Sequence, residues 1–133
     1  MLRFAPNIMS AVNLARLLGV LNDSESSTHT IPLSSTMLNK SIIDASSEIR
    51  DLFRRNDYLD FDLIERGQEN KQYIPCKIVS SEDIVETEAS CYRPAAKPDR
   101  ADGDPRFWPR RLNSYCRPGD ILLIYASPNG NYV

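Results

Sequence analysis

Seven basic side chains, Arg93, Lys97, Arg100, Arg106, Arg110, Arg111 and Arg117, fall between Tyr92 and Arg117, against three acids, Asp99, Asp102 and Asp104. That window is net +4, whereas the chain is −2, so the remaining residues sum to −6 (nine basic, fifteen acidic). A near-neutral total hides one basic segment. Arginine dominates it, and the planar guanidinium fork matches phosphate oxygens and the guanine edge. Phe107 and Trp108 lie inside it, between Pro105 and Pro109. The pattern reads as a proline-stiffened basic loop with an aromatic centre, running into an apolar strand at 121–125. The plainer alternative is a solvated loop whose aromatics plug the core.

A second polar run, NDSESSTHT, occupies 22–30. Hydroxyl, amide and imidazole groups contact phosphates and base edges. The candidate contact residues are therefore Asn22, Ser24, Ser26, Ser27 and His29 in this run. Arg93, Lys97, Arg100, Arg106, Arg110 and Arg111 supply the rest from the basic segment. Two such arms on a small barrel would grip opposite sides of one major groove.

Catalytic chemistry is thinly represented. His29 is the only histidine, and no GxSxG elbow or thiol context accompanies it. Cys76, Cys91 and Cys116 lack the paired spacing of zinc ligands and read as small buried hydrophobes. Asp60 with Asp62, and Glu86 with Glu88, alternate as pairs that would share a strand face and could hold magnesium. The PD…(D/E)xK nuclease pattern has no match, since Pro98-Asp99 is followed by no ExK at usable spacing, so they read as solvent-facing acids. Phosphate-cradling GxxxxGK[ST] is absent. The expectation is no catalytic residue, no metal and no cofactor.

The elements that would position the two polar runs are short. At 133 residues the chain is large enough for one domain with its own core. No apolar run approaches the roughly 20 residues of a membrane span. The N-terminus lacks a signal-peptide core, and three cysteines without CxxC spacing favour reduced thiols in the cytoplasm. An isoelectric point near 5.4 argues against wholesale coating by nucleic acid, not against one basic face.

Residues 12–20 fit a strand or a short helix; Gly19 and Val20 favour a strand over about 14–21. Residues 30–33 read as extended, because Pro32 biases Ile31 away from helix. A helical turn at 34–39 precedes a helix over 42–55, capped by Ser41, with Ile42, Ile43, Ala45, Ile49, Leu52 and Phe53 on one face. Strands are expected over 58–64, 73–79 (Pro75 marking an edge), 84–92 and 121–125. Pro128-Asn129-Gly130 signals a hairpin whose return stops at Val133, which reads as the N-terminal piece of a longer protein with further domains.

This order of features carries a family resemblance. A strand leads to a polar loop with Asp23-Ser24-Glu25-Ser26, then His29-Thr30-Ile31-Pro32 before a helix. Later come the arginine-rich loop, the Phe107-Trp108 pair, the Pro118-Gly119-Asp120 turn and the apolar run Ile121-Leu122-Leu123-Ile124. Over about 14–126 the chain resembles the DNA-binding pseudobarrels of plant B-three domains. It is equally similar to the related modules of bacterial restriction enzymes, such as the EcoRII N-terminal and BfiI C-terminal domains.

The resemblance implies a mainly β (α+β) fold: a seven-stranded open pseudobarrel with one or two short helices. It implies that residues 22–29 form an N-terminal arm, and that Arg93, Lys97, Arg100 and Arg106 belong to a C-terminal arm. Asp99, Asp102 and Asp104 depart from a purely basic arm. The implied function is sequence-specific recognition of double-stranded DNA by a non-catalytic domain of a restriction or modification-dependent endonuclease. Two rivals stand beside it. One is a regulatory barrel that docks a protein through Phe107 and Trp108. The other is a small metal-dependent nuclease.

Overall fold

The computed structural model describes residues 1–8, 28–80, 83–95 and 104–126. Within them lie seven strands and two helices in the order β1 (Leu2–Ile8), β2 (Thr28–Pro32), α1 (Ser35–Lys40), β3 (Ile43–Asp44), α2 (Ser47–Arg55), β4 (Gln72–Val79), β5 (Ile84–Tyr92), β6 (Arg106–Pro109) and β7 (Ile121–Ala126). Short 3-10 turns occupy Phe61–Leu63, Gln68–Asn70 and Leu112–Ser114. The strands make one sheet of order β2-β7-β1-β4-β5-β6-β3. Only β1 and β4 pair in parallel. The fold is the mainly β open half-barrel that the resemblance implies. No helix among the described residues is long and apolar enough to cross a membrane.

Side-chain alternation explains the strands. In β4, Ile74, Cys76 and Ile78 are buried while Tyr73 and Pro75 are exposed. In β7, Leu122 and Ile124 join Leu2 and Phe4 in the core. Leu123 and Tyr125, on the other face of β7, are also buried. A strand covered on both faces needs the continuous apolar run that made 121–125 conspicuous. Arg3, 2 % exposed, stands opposite Tyr125 and hydrogen-bonds its hydroxyl. Inside the curl, Phe53 packs on Phe61 and Phe107 at 5.5 and 5.7 Å between ring centroids, and Phe107 stacks on Phe4 at 5.9 Å. Burial of one such ring contributes about 1.5–3 kcal/mol.

Several expectations hold and several need correction. The strands at 73–79, 84–92 and 121–125 are present as β4, β5 and β7, and the extended 30–33 segment belongs to β2. The helical turn at 34–39 is α1, with Ser34 accepting from the Met37 N–H at 3.2 Å. The helix expected from Ser41 begins later, at Ser47, behind the cap Ser46. Ser41 instead closes α1 in a left-handed conformation, φ 53°. Ile43 and Asp44 form β3 because Ile43 pairs with Phe107 and the Ala45 N–H reaches Pro105 O at 2.7 Å.

Residues 58–64 are not a strand. The Asp60 carboxylate accepts from the Asp62 N–H at 3.0 Å and turns the chain into a 3-10 helix. Phe61 and Ile64, three apart, point inward while Leu63 is 82 % exposed. A local aspartate bond has won over weak alternation. Pro75 does not mark an edge either. β4 lies between β1 and β5, and the edges are β2 and β3. The parallel ladder to β1 starts at Cys76, one residue later, so β4 is locally one-sided at the proline. Finally, β1 went unrecognised in the sequence, and the aromatic pair sits in a strand, β6, and not in a loop. The strand expected at 14–21 and the hairpin at 128–130 lie outside the described residues.

Candidate nucleic-acid interface

Strand polarity organises the surface. β1, β2 and β4 point one way; β5 and β7 are antiparallel to them. β6 runs against β5, so it starts where β5 ends. The entry to β2, the entry to β4, the exit of β5 and the entry to β6 therefore share one end of the half-barrel. The first of these takes up the last three residues of the polar run at 22–30. The last two flank the segment holding Lys97 and Arg100. Asn22, Ser24, Ser26, Ser27, Lys97 and Arg100 themselves lie outside the described residues.

The described cations at this end are occupied. Arg93 Nη1 donates to Ile64 O at 3.0 Å and to Asp62 O at 3.5 Å. Arg66 Nη1 donates to Pro94 O at 3.2 Å, and the Gly67 N–H reaches Arg93 O at 2.8 Å. These bonds lace the 61–67 turn to the root of the basic segment. Gly67, at φ 110°, holds a backbone conformation that a side chain would strain. Lys71 Nζ sits 5.1 Å from the centroid of the Tyr92 ring, a cation–π contact. Arg106 Nη1 meets the Tyr92 hydroxyl at 3.5 Å, and its Nε lies 3.7 Å from Asp44 across the β6–β3 pair. Arg93 and Arg106 thus tie down the described residues on either side of 96–103.

Arg110 and Arg111 follow β6 and stand toward the other end. The arm-end residue Arg106 pairs with Tyr92, whereas Pro109 pairs with Ala89 farther back along β5. Arg110 Nη1 binds Glu88 at 2.8 Å while remaining 62 % exposed. Arg111 is exposed, left-handed at φ 72°, and its Nη2 lies 3.5 Å from the Tyr115 hydroxyl. The single basic segment of the sequence is thus two surfaces separated by β6.

His29 is in β2, opposite Ile124, and not in a loop. It is half-buried on the face that carries Ile31, toward α2. There Glu48, in the first turn of α2, has its pKa lowered by its backbone N–H and by the Ser46 and Ser47 hydroxyls. His29 adds a smaller push the same way.

Groups that could have supplied catalysis are otherwise engaged. Asp60 caps a turn and does not share a strand face with Asp62. Glu86 and Glu88 have separate cations, Lys77 at 3.9 Å and Arg110 at 2.8 Å. Burial pushes the Cys76 and Cys91 thiols up to about 12 and Cys116 to about 11, so none is a thiolate near neutrality. No group of three or more His, Cys, Asp or Glu among the described residues could hold a metal ion. A cleft of ≈ 390 Å³ beside α2 is lined by Glu48, Asp51, Asp60 and Asp62 with Arg50 and Arg54. Its excess of carboxylates disfavours a phosphate ligand. Phe107 and Trp108, 1 % and 7 % exposed, offer no docking patch.

Sequence reasoning passed over Arg66 and Lys71. They precede the basic segment by more than twenty residues, and only the Gln72↔Cys91 register brings Lys71 beside Tyr92. Comparison of the chain with protein-family models, with curated proteins and with solved structures finds no match.

Proposed function

We propose that this chain is a non-catalytic recognition module that binds double-stranded DNA sequence-specifically, as part of a restriction or modification-dependent endonuclease system. One observation carries the reading: the entry to β2, into which the hydroxyl-rich run leads, lies at the same end of the half-barrel as the exit of β5 and the entry to β6, which bound the basic run. Two segments rooted there suit a two-sided grip on one groove. Lys97 and Arg100 lie between the anchored roots at Arg93 and Arg106, so they are the cations assigned to bases and phosphates. Arg93 and Arg106 hold the roots. Burial of the aromatic pair removes the surface that a docking function needs, and the dispersal of carboxylates leaves a nuclease without a metal cluster among the described residues.

The test is binding of the chain to double-stranded DNA across a salt series. Losing a base contact should cost about 1–3 kcal/mol and relax one position of the site; losing a phosphate contact should weaken all sequences and lower the salt slope by about one. Lys97→Ala, Arg100→Ala, Ser26→Ala and Asn22→Ala are the informative changes. Unchanged affinity in all four would sink the two-arm model.

A further inference from the structure

We propose that Lys40, Arg111 and Arg117 form a second anion-binding face, at the end of the half-barrel opposite the two arms, which holds the phosphate backbone of duplex DNA without reading bases. It shares with the proposed function only the duplex as ligand. The three residues reach this end by different routes. Lys40 ends α1, which follows the far end of β2. Arg111 follows β6, and Arg117 opens the turn into β7. Backbone and side-chain bonds join these pieces. The Leu33 N–H reaches Asp120 O and the Gly119 N–H reaches Leu33 O, each at 2.8 Å. Asn113 Nδ2 donates to Leu38 O at 2.7 Å.

Ion pairing separates this set from most of the other cations, and Arg93 and Lys71, which also lack a carboxylate, are held by carbonyls and by the Tyr92 ring. Arg50, Arg54, Arg55, Arg106, Arg110 and Lys77 each have a carboxylate partner. Lys40, Arg111 and Arg117 are exposed, and none of the three enters an ion pair among the described residues. Two acids lie nearby, one in an ion pair and one that keeps its charge. Glu88 holds Arg110, and Asp120 accepts the Arg117 backbone N–H at 2.8 Å.

Backbone conformation adds an independent observation. Arg111 holds φ 72°, ψ 6°, a region that glycine or asparagine enters far more readily. In the next turn the chain uses glycine for the same purpose, Gly119 at φ 96°. The 3.5 Å contact to Tyr115 is a weak return for that strain. Strain kept at an exposed cation points to a role outside the fold. A side chain projected from a left-handed turn, at the same end as two more exposed cations, suits backbone phosphates, which need positive charge and no fixed base geometry.

The experiment measures binding of the full chain to a short random-sequence duplex across a salt series, alongside thermal melting. Arg111→Gly should leave the melting temperature unchanged or raised, weaken binding several-fold and reduce the salt slope by about one. Arg117→Ser and Lys40→Ser should act alike, and Arg111→Lys should keep the slope. A lower melting temperature for Arg111→Gly would make the left-handed arginine a structural device and overturn the assignment. So would unchanged affinity and slope in Arg111→Gly, Arg117→Ser and Lys40→Ser. The two readings fail separately. Arm changes that alter sequence preference while these three do nothing leave only the arms standing. The reverse pattern leaves only this face.

Discussion

The two ends of β6 carry the same residue type and put it to different uses. At the arm end, Arg93 donates to Ile64 O and Asp62 O, and Arg106 meets the Tyr92 hydroxyl, with its Nε in a 3.7 Å ion pair with Asp44 that is not a hydrogen bond. At the other end, Arg110 makes one exposed ion pair, and Arg111 makes none among the described residues. The difference follows from what stands opposite. The arm end faces turn carbonyls and a strand-edge carboxylate, fixed acceptors that can hold a guanidinium. The far end faces solvent. Local positive charge in a sequence therefore covers two things, guanidinium groups held by the scaffold and guanidinium groups left exposed.

Trp108 joins the two ends, and its loss should have the largest effect. It is 7 % exposed in the core cluster, so Trp108→Ala should destabilise the fold by about 3–5 kcal/mol. Loss of binding with an unchanged melting temperature would make the indole a direct contact and break the comparison at its hinge.

Arg93→Ala should come next. It strips the anchor from two turn carbonyls, and a bond to a charged donor is worth about 1.5–3 kcal/mol before allowance for its partial exposure. We expect about 2 kcal/mol by denaturant titration, with partial recovery in Arg93→Lys. A neutral result would place Arg93 among the ligand contacts.

Arg110→Ala should cost less than about 1 kcal/mol, because its pair with Glu88 is solvent-screened. A double-mutant cycle with Glu88→Gln checks this. A coupling as large as the Arg93 effect would erase the distinction between the ends.

The smallest effects are read from thiols. Cys91 lies under the arm end and Cys116 near the far turn. Near neutral pH, Cys116 should react first with a disulfide reagent, and Cys91 and Cys76 only on opening, since both are fully buried. All three thiol pKa values are raised above the ordinary value of 9.0 on folding. Their contribution is therefore complete below pH 9 and is lost as the pH rises toward about 11 for Cys116 and about 12 for Cys76 and Cys91. Stability that increased across that range would contradict the burial.

What the sequence determined by itself was whatever depends on neighbours along the chain. Alternation gave β4 and β5, and an unbroken apolar run gave β7, because these are one-strand properties. Ile49, Leu52 and Phe53 marked the buried face of α2 for the same reason. The basic segment and the hydroxyl-rich run were legible as compositions.

The tertiary structure decided the rest. The start of α2 at Ser47 depends on Phe107 and Pro105, about sixty residues away, claiming Ile43 and Ala45 for the sheet edge. The interior position of β4 depends on β1 arriving beside Cys76, Lys77 and Ile78, just past Pro75. The roles of the arginines depend on which acceptors stand within reach. Arg93 finds the Ile64 carbonyl and Arg106 finds Asp44, while Arg111 finds no carboxylate among the described residues. A guanidinium carries the same charge in each place. Only the folded chain fixes the distance to its partner, and with it whether that charge is absorbed by the scaffold or presented to a ligand.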